Sequence, residues 1–509
     1  MNAFTIDALL ATAAPENQAL GAPDRISMTY RDLREQVDAT VIALNGAGVG
    51  RGDRVAIVLP NGPEMASAFV AIGAGATTAP LNPAYRADEF RFYLDDLGAR
   101  LLVVERGSDS DAVAVARELG MGIAELFVPE GAPAGRFELE IVEEPAASDA
   151  LQTGRAQADD IALVLHTSGT TSRPKIVPLS QANVCASAAH IRASLALEPG
   201  DRCLNIMPLF HIHGLIAAVL SSLSAGASVH CMPGFNALKA FAWFDAIKPT
   251  WYTAVPTMHQ AILGRAARNQ ASVDAMGLRF IRSSSSSLPP QIMTELEATF
   301  GCPVIEAYGM TEAAHQMASN PLPPAPRFPG CVGIAAGPEV AIMDEGTGSL
   351  LGIGEIGEIV IRGPNVTAGY ENNPKANAEG FTDGWFRTGD QGTLDQAGYL
   401  RLTGRLKEII NRGGEKISPR EVDEILLDHP AVAQVVTFAV PHAKLGEDVA
   451  AAVVLKEGQE ADEKALRSFA AERLADFKVP RKVLFLEEIP KGATGKLQRI
   501  GLAEKLGLV

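Results

Sequence analysis

The sequence predicts an α/β protein: a large N-terminal domain with two α/β units built on parallel sheets and a small barrel-like β unit, then a smaller α+β domain. Three observations point there. Short apolar runs alternate with helical patterns up to residue 105 and again from 161 to about 300, which is the pattern of βαβ units and parallel sheets. Residues 320–365 turn rich in Gly and Pro and carry short β runs. The last stretch, about a hundred residues, mixes helices and strands compactly enough to be a separate domain. The boundary is placed between 1–406 and 407–509.

Taken in order, Thr29 precedes a helical pattern that runs to about Ala47. Residues 54–60 (Arg-Val-Ala-Ile-Val-Leu-Pro) read as a buried strand stopped by proline. Residues 64–75 are helical in pattern, 80–85 a loop, 87–97 a helix and 101–105 a strand. Residues 130–158, rich in Pro, Ala, Gly and acid, read as an exposed excursion. Strands are expected at 161–165, 202–206, 228–231, 251–255 and 279–281, with a helix starting near Ser180 and another at 291–300. Short β runs follow at 340–343 and 357–362. After Lys407 come a hairpin, a helix at 419–428, strands at 433–439 and 448–455, a helix at 463–473 and a strand at 482–485.

The 509 residues suffice for roughly two to four domains with large cores. Hydrophobic content of 47% with 20% charged residues fits a soluble globular protein. A formal net charge of −16 argues against nucleic acid or an anionic membrane as the main partner. The five cysteines are scattered and form no Cys-x-x-Cys pair, so neither a disulfide framework nor a zinc site is expected. A reducing, cytoplasmic setting fits this usage. Residues 1–15 lack the features of a signal peptide, and no apolar run reaches about 18 residues, so no membrane helix is expected. The final Gly-Leu-Val is not a peroxisomal Ser-Lys-Leu.

Five segments carry possible chemistry. Residues 166–179 read His-Thr-Ser-Gly-Thr-Thr-Ser-Arg-Pro-Lys-Ile-Val-Pro-Leu, after an apolar run and before a helix. Small residues expose backbone N–H groups, and the hydroxyls and cations beside them would hold phosphate oxygens. A plain polar strand-to-helix connection is the other reading, and Walker A spacing is absent. Residues 307–312, Ala-Tyr-Gly-Met-Thr-Glu, offer an aromatic for a nucleobase and an acid for Mg²⁺, or simply an N-capped helix start. Residues 384–390, Gly-Trp-Phe-Arg-Thr-Gly-Asp, bracket a tight loop whose carboxylate would accept ribose hydroxyls. Residues 404–416 lie at the domain junction, where backbone rotation is easiest, and contain Gly413 and Gly414, which allow close approach to a ligand. Residues 490–496, Pro-Lys-Gly-Ala-Thr-Gly-Lys, place a lysine on a glycine-bracketed loop.

Together, in this order and spacing, the five segments resemble the adenylate-forming superfamily of acyl- and aryl-CoA synthetases, firefly luciferase and peptide-synthetase adenylation domains. The resemblance spans essentially the whole chain. It implies ATP and coenzyme A as co-substrates and Mg²⁺ as cofactor. It implies that Thr167, Ser168, Gly169, Thr170, Thr171 and Lys175 form the phosphate loop. Tyr308 and Gly309 would form the adenine site, with Thr311 beside them and Glu312 as Mg²⁺ ligand. Asp390 and Arg405 would hold the ribose, Lys407 would be the hinge of a mobile C-terminal domain, and Gly413 and Gly414 would face the pantetheine tunnel. Lys496 would be the catalytic lysine. The family usually has Gly where Ser172 and Ile176 stand, and Ile176 would be strained if that position needs a positive φ.

Segments 208–214 (Pro-Leu-Phe-His-Ile-His-Gly), 282–289 and 311–316 are the acyl-pocket candidates. A run of five serines at 283–287 and a histidine three residues, or one helical turn, beyond Glu312 suit a small second carboxylate better than an alkyl chain. These stretches look like those of oxalate–CoA ligases, a resemblance that makes Ser285, His315 and His211 the acid contacts and adds His211 to the catalytic set. Malonate is the second choice, although Ala307 stands where malonate ligases carry Arg, and a medium- or long-chain fatty acid the third. A carrier-loading adenylation enzyme and a nucleotide-binding protein without turnover are the other classes. Monomer and homodimer both stay open.

Overall fold

The computed structural model describes residues 4–147, 151–167, 174–490 and 497–508. Two sheets dominate the first two-thirds of the chain. The first has seven strands in the order Glu138–Glu143, Gly122–Phe127, Leu101–Glu105, Arg54–Val58, Thr77–Pro80, Ile161–Thr167 and Lys175–Ser180. Its five inner strands run parallel, and each edge strand is antiparallel to its neighbour. The second has nine strands in the order Ile334–Ala335, His315–Ser319, Val304–Met310, Phe280–Ser283, Trp251–Ala254, Arg202–Asn205, Ser228–Cys231, Gln18–Gly21 and Met28–Thr29. Six of these are parallel.

Period-2 alternation explains how the layers meet. Along Arg54–Val58, Val55 and Ile57 face a core shared with the second sheet, whereas Ala56 and Val58 face an outer core with Phe90, Leu94 and Val115. The shared core is filled by the helices Tyr30–Gly46, Pro63–Gly73 and Gln181–Ser194 and by a π-helix, His213–Leu220. A separate core with Phe241, Phe244, Ile262 and Leu296 covers the far face of the second sheet. Thr29 caps Tyr30–Gly46 with a reciprocal bond to Asp32, which fixes that helix start where the sequence places it.

The glycine- and proline-rich region forms a five-stranded antiparallel sheet: Glu339–Met343, Gly357–Arg362, Trp385–Leu394 and Phe381–Thr382 in order, with Leu400–Arg405 also on Trp385–Leu394. The chain changes sheets across one 3₁₀ turn, Leu406–Glu408. Beyond it Ile410–Arg412, Glu415–Ile417, Val432–His442, Gly446–Leu455 and Lys482–Phe485 make a last sheet with its own cores on both faces. Its helix Pro419–Leu427 lies against the N-terminal part: Gln291 bonds the Asp428 carboxylate and the Ser418 hydroxyl bonds the Thr403 carbonyl. Glu306, 1% exposed, sits at this junction within reach of the Arg420 charge.

Four expectations need correction. The excursion at 130–158 contains the edge strand Glu138–Glu143. Residues 166–179 do not join a strand to a helix: Ile161–Thr167 and Lys175–Ser180 are antiparallel partners, and the helix begins only after Ser180, its cap. No helix follows Tyr308–Glu312. The strand runs to Met310, Thr311–Ala313 form a single 3₁₀ turn, and the chain reverses into His315–Ser319. The 384–390 loop is part of the ten-residue strand Trp385–Leu394, with a register shift opposite Glu358 and Val360 and Gly389 at φ 73°. All five cysteines are buried thiols. Among the described residues no helix is long and apolar enough to cross a membrane.

Candidate active site

The reversal at 310–315 organises the site. Asn365 donates to the carbonyls of Ala313 (2.8 Å) and Gln316 (3.0 Å), and the Thr367 N–H donates to the Glu312 carbonyl (2.8 Å). Pinned this way, the turn needs Ala314 at φ 46° and His315 at φ 103°, both left-handed. Gly309 is required: a Cβ there would lie 1.9 Å from the His315 carbonyl oxygen.

On one side of the turn stands a nucleotide-type cluster. The Tyr308 hydroxyl donates to Asp390 Oδ2 (2.5 Å), and Arg405 Nε donates to Asp390 Oδ1 (2.9 Å). Asp390 and Arg405 are direct cross-strand partners, so the pairing of two strands sets this ion pair. Burial and the Asp390 carboxylate push the Tyr308 hydroxyl well above its ordinary pKa. The Asp390 charge raises Arg405 further. Glu312 is buried, which raises its pKa. The Tyr370 hydroxyl, 2.9 Å from Oε1, and the charges of Lys175 and Arg405 offset that in part. Lys175 Nζ lies 4.3 Å from the centre of the Tyr370 ring. Lys175 and Thr167 face each other across the hairpin, and Thr311 is half-buried in the turn. Ser168, Gly169, Thr170, Thr171 and Lys496 lie outside the described residues, as does Ser172.

Ile176 raises no strain. It is an extended strand residue opposite His166, packed in the outer core with Val164. Its carbonyl accepts the Glu371 N–H at 3.1 Å.

On the other side stands a polar cluster. His213 Nδ1 is 3.0 Å from Ser285 Oγ, and its Nε2 is 2.6 Å from Thr253 Oγ1. The His213 and His315 rings meet edge to face at 5.0 Å. Arg282, fully buried, reaches His213 Nε2 (3.5 Å) and donates to Gln316 Oε1 (3.2 Å). Ser285 holds φ 73°. Its neighbour Ser284 is anchored to the Ala307 carbonyl at 2.9 Å. The histidine that touches Ser285 and His315 is therefore His213. His211, half-buried, accepts the His213 N–H through its Nδ1 at 3.4 Å. Lys407 is exposed in the 3₁₀ turn, and Gly413 and Gly414 form the exposed tip of a hairpin at φ 63° and 100°.

The structure thus gathers Tyr308, Gly309, Thr311, Glu312, Asp390, Arg405 and Lys175 around one turn, with Ser285 and His315 just beyond. It adds His213, Arg282 and Gln316, which lie inside the candidate acyl-pocket segments without having been named individually, and Tyr370, which lies outside all of them. A charged Arg inside a strand buried on both faces was the signal that could have picked out Arg282.

Residues 10–371 match the model of the AMP-binding enzymes and 421–496 that of their C-terminal domain. The chain is 47% identical to a probable CoA ligase of Humulus lupulus, over 99% of this chain and 97% of that one. It is 45% identical to an oxalate–CoA ligase of Arabidopsis thaliana, over 98% of each. Among solved structures, ATP-bound MatB from Rhodopseudomonas palustris superposes with a TM-score of 0.88 at 30% identity, covering 99% of both chains. The apo form of the same enzyme gives 0.78.

Proposed function

Because the chain belongs to the AMP-binding enzyme family, as an AMP-forming acyl-CoA synthetase, we propose that it joins oxalate to coenzyme A through an oxalyl-adenylate. The observation that carries the choice of acid is the meeting of His213, Ser285 and His315 where an alkyl chain would need apolar walls. A buried carboxylate needs such charge-assisted donors. The oxalate–CoA ligase from Arabidopsis thaliana supports the same acid. Malonate is the second reading, weakened by Ala307, which brings no cation beside Tyr308.

The reaction has two steps. A carboxylate oxygen attacks the α-phosphorus of ATP, and the bond to the pyrophosphate oxygen breaks. The CoA thiol then attacks the acyl carbon, and AMP leaves. In this reading Thr167, Ser168, Gly169, Thr170, Thr171 and Lys175 hold the phosphates, and Tyr308 and Gly309 line the adenine. Thr311 holds the α-phosphate. Asp390, fixed by Tyr308 and Arg405, retains lone pairs for two ribose hydroxyls, since an ionised carboxylate has about four acceptor sites. Lys496 neutralises charge on the attacking and leaving oxygens. Glu312 suits Mg²⁺, which takes one or two protein carboxylates together with substrate phosphates and would neutralise phosphate charge here. The better superposition on ATP-bound than on apo MatB supports an adenylation orientation for residues 407–509. Rotation about Lys407 would then bring Gly413 and Gly414 to the CoA thiol. The His213 backbone N–H donates to His211 Nδ1, which seats His211 beside His213 at the start of the π-helix.

A carboxylate panel in a CoA-dependent AMP-release assay tests the acid. Oxalate is expected to give the highest kcat/KM, and a lower value than malonate or butyrate overturns the assignment. Omitting free CoA should stop thioester turnover; full turnover with a carrier protein instead would point to a carrier-loading enzyme. His315→Ala should raise the oxalate KM by about 10- to 100-fold, the worth of one charge-assisted hydrogen bond, with the ATP KM little changed. An unmoved oxalate KM removes His315 from the pocket.

A further inference from the structure

Arg282 is a buried cation with no anionic partner among the described residues. Its side chain is fully buried on the strand Phe280–Ser283. Among the described residues its contacts are Gln316 Oε1 at 3.2 Å and His213 Nε2 at 3.5 Å, and its Nε has no hydrogen-bond partner. Buried charges are ordinarily paired, because desolvation is costly. Burial pushes the guanidinium pKa down to about 9, so it still carries its proton at neutral pH.

Guanidinium is a donor only. With the guanidinium as donor, the His213 nitrogen it reaches, Nε2, presents its lone pair, and the Thr253 hydroxyl 2.6 Å away is assigned as a second donor to the same atom. The ring proton then sits on Nδ1 and is donated to Ser285 Oγ at 3.0 Å. With its oxygen occupied as an acceptor, Ser285 keeps its own hydroxyl hydrogen for an anion. The network assigns this tautomer through four side chains: Arg282 and Thr253 on two strands, His213 on the π-helix and Ser285 in the loop after Phe280–Ser283.

We propose that Arg282 is a positioning residue that selects for a second carboxylate on the acid: it locks His213 as the Nδ1–H tautomer, makes Ser285 a donor, and leaves the cluster with an uncompensated positive charge. The inference rests on the reading of this cluster as the acid site. Arg282 itself stays behind His213 and acts through it. A dianionic acid supplies the missing counter-charge, whereas a monoanionic acid spends its one charge on the reacting carboxylate and leaves the guanidinium unbalanced.

The test uses the full chain with Arg282→Met, Arg282→Lys and Gln316→Glu in the AMP-release assay, with oxalate and ATP varied in turn. Gln316→Glu neutralises the guanidinium in place and decides the matter if Arg282→Met does not fold. Arg282→Met and Gln316→Glu are expected to raise the oxalate KM at least about tenfold with the ATP KM within about twofold, and Arg282→Lys to recover most of the loss. An oxalate KM within about twofold of wild type in the folded variants overturns the proposal, as does a uniform fall in kcat with both KM values unmoved. If wild type prefers oxalate and the variants do not change its KM, only Arg282 is misassigned. If wild type prefers a monocarboxylate, the oxalate reading falls with it.

Discussion

Glu312→Gln is expected to slow adenylate formation by about 10²- to 10³-fold, the usual loss when one group that stabilises developing charge is removed from an active site. The same change should leave the thermal midpoint nearly where it was. Glutamine matches the shape of glutamate, and its carbonyl oxygen keeps the Tyr370 hydroxyl bond seen at 2.9 Å. What is lost is the negative charge, and burial already opposes that charge in the folded protein. Folding therefore gains or loses little, while in the proposed mechanism a nucleotide arriving with Mg²⁺ would lose its protein carboxylate. Single-turnover pyrophosphate release, paired with a melting curve, separates the two effects. A rate within tenfold of wild type would remove Glu312 from the chemistry, and a collapse of the melting point would recast it as structural. The Mg²⁺ concentration for half-maximal rate should also rise.

Glu306→Gln should abolish a pH dependence of stability. Burial pushes the Glu306 carboxyl up to about 7, only partly countered by the Arg420 charge and by the Leu288 N–H at 3.0 Å. The folded state therefore binds a proton that the unfolded chain, with a pKa near 4.5, has released. The resulting stability is fully present below pH 4.5 and is lost as pH rises through about 7. At about 1.4 kcal/mol per pKa unit, the loss is about 3 kcal/mol. The measurement is the difference in melting temperature between wild type and Glu306→Gln, followed from pH 5 to pH 8. Wild type should fall relative to the variant by several degrees across that window. A constant difference would show that Glu306 titrates normally, and with it that the junction with the Arg420 helix admits water.

Much of the fold could be read before the structure, and the reasons differ by element. The helix Ala87–Leu97 and the strands Leu101–Glu105, Ser228–Cys231, Gly357–Arg362 and Lys482–Phe485 have the bounds the sequence suggested, since each has a distinct apolar pattern with turn residues or charges at its ends. Thr77–Pro80 was invisible because Thr-Thr-Ala-Pro carries almost no apolar signal. It is a central strand anyway, its two threonine hydroxyls bonded to the carbonyls of Ile161 and Ala162 at 2.7 Å each. Thr311 and Glu312 look like a helix start, but the tertiary bonds from Asn365 and Thr367 impose a reversal that no local pattern encodes. The same competition separates His211 from His213. In Phe-His-Ile-His-Gly either histidine qualifies by sequence, and the choice falls to His213 because the π-helix starts there and turns its ring toward Ser285. Tyr370 lies far along the chain from Glu312, and only folding brings them together.

Ser285, Ala314 and His315 all hold left-handed backbone that side chains other than glycine adopt at a cost, of order 1 kcal/mol or more each. For anyone breeding a hardier version of this enzyme, the easiest gains would come from glycine at just these positions. Two of those three replacements also delete a polar group of the cluster we assign to the acid. A selection for heat resistance alone would thus be drawn toward mutants that melt later and discriminate less, and a screen that never offers a competing acid would not notice.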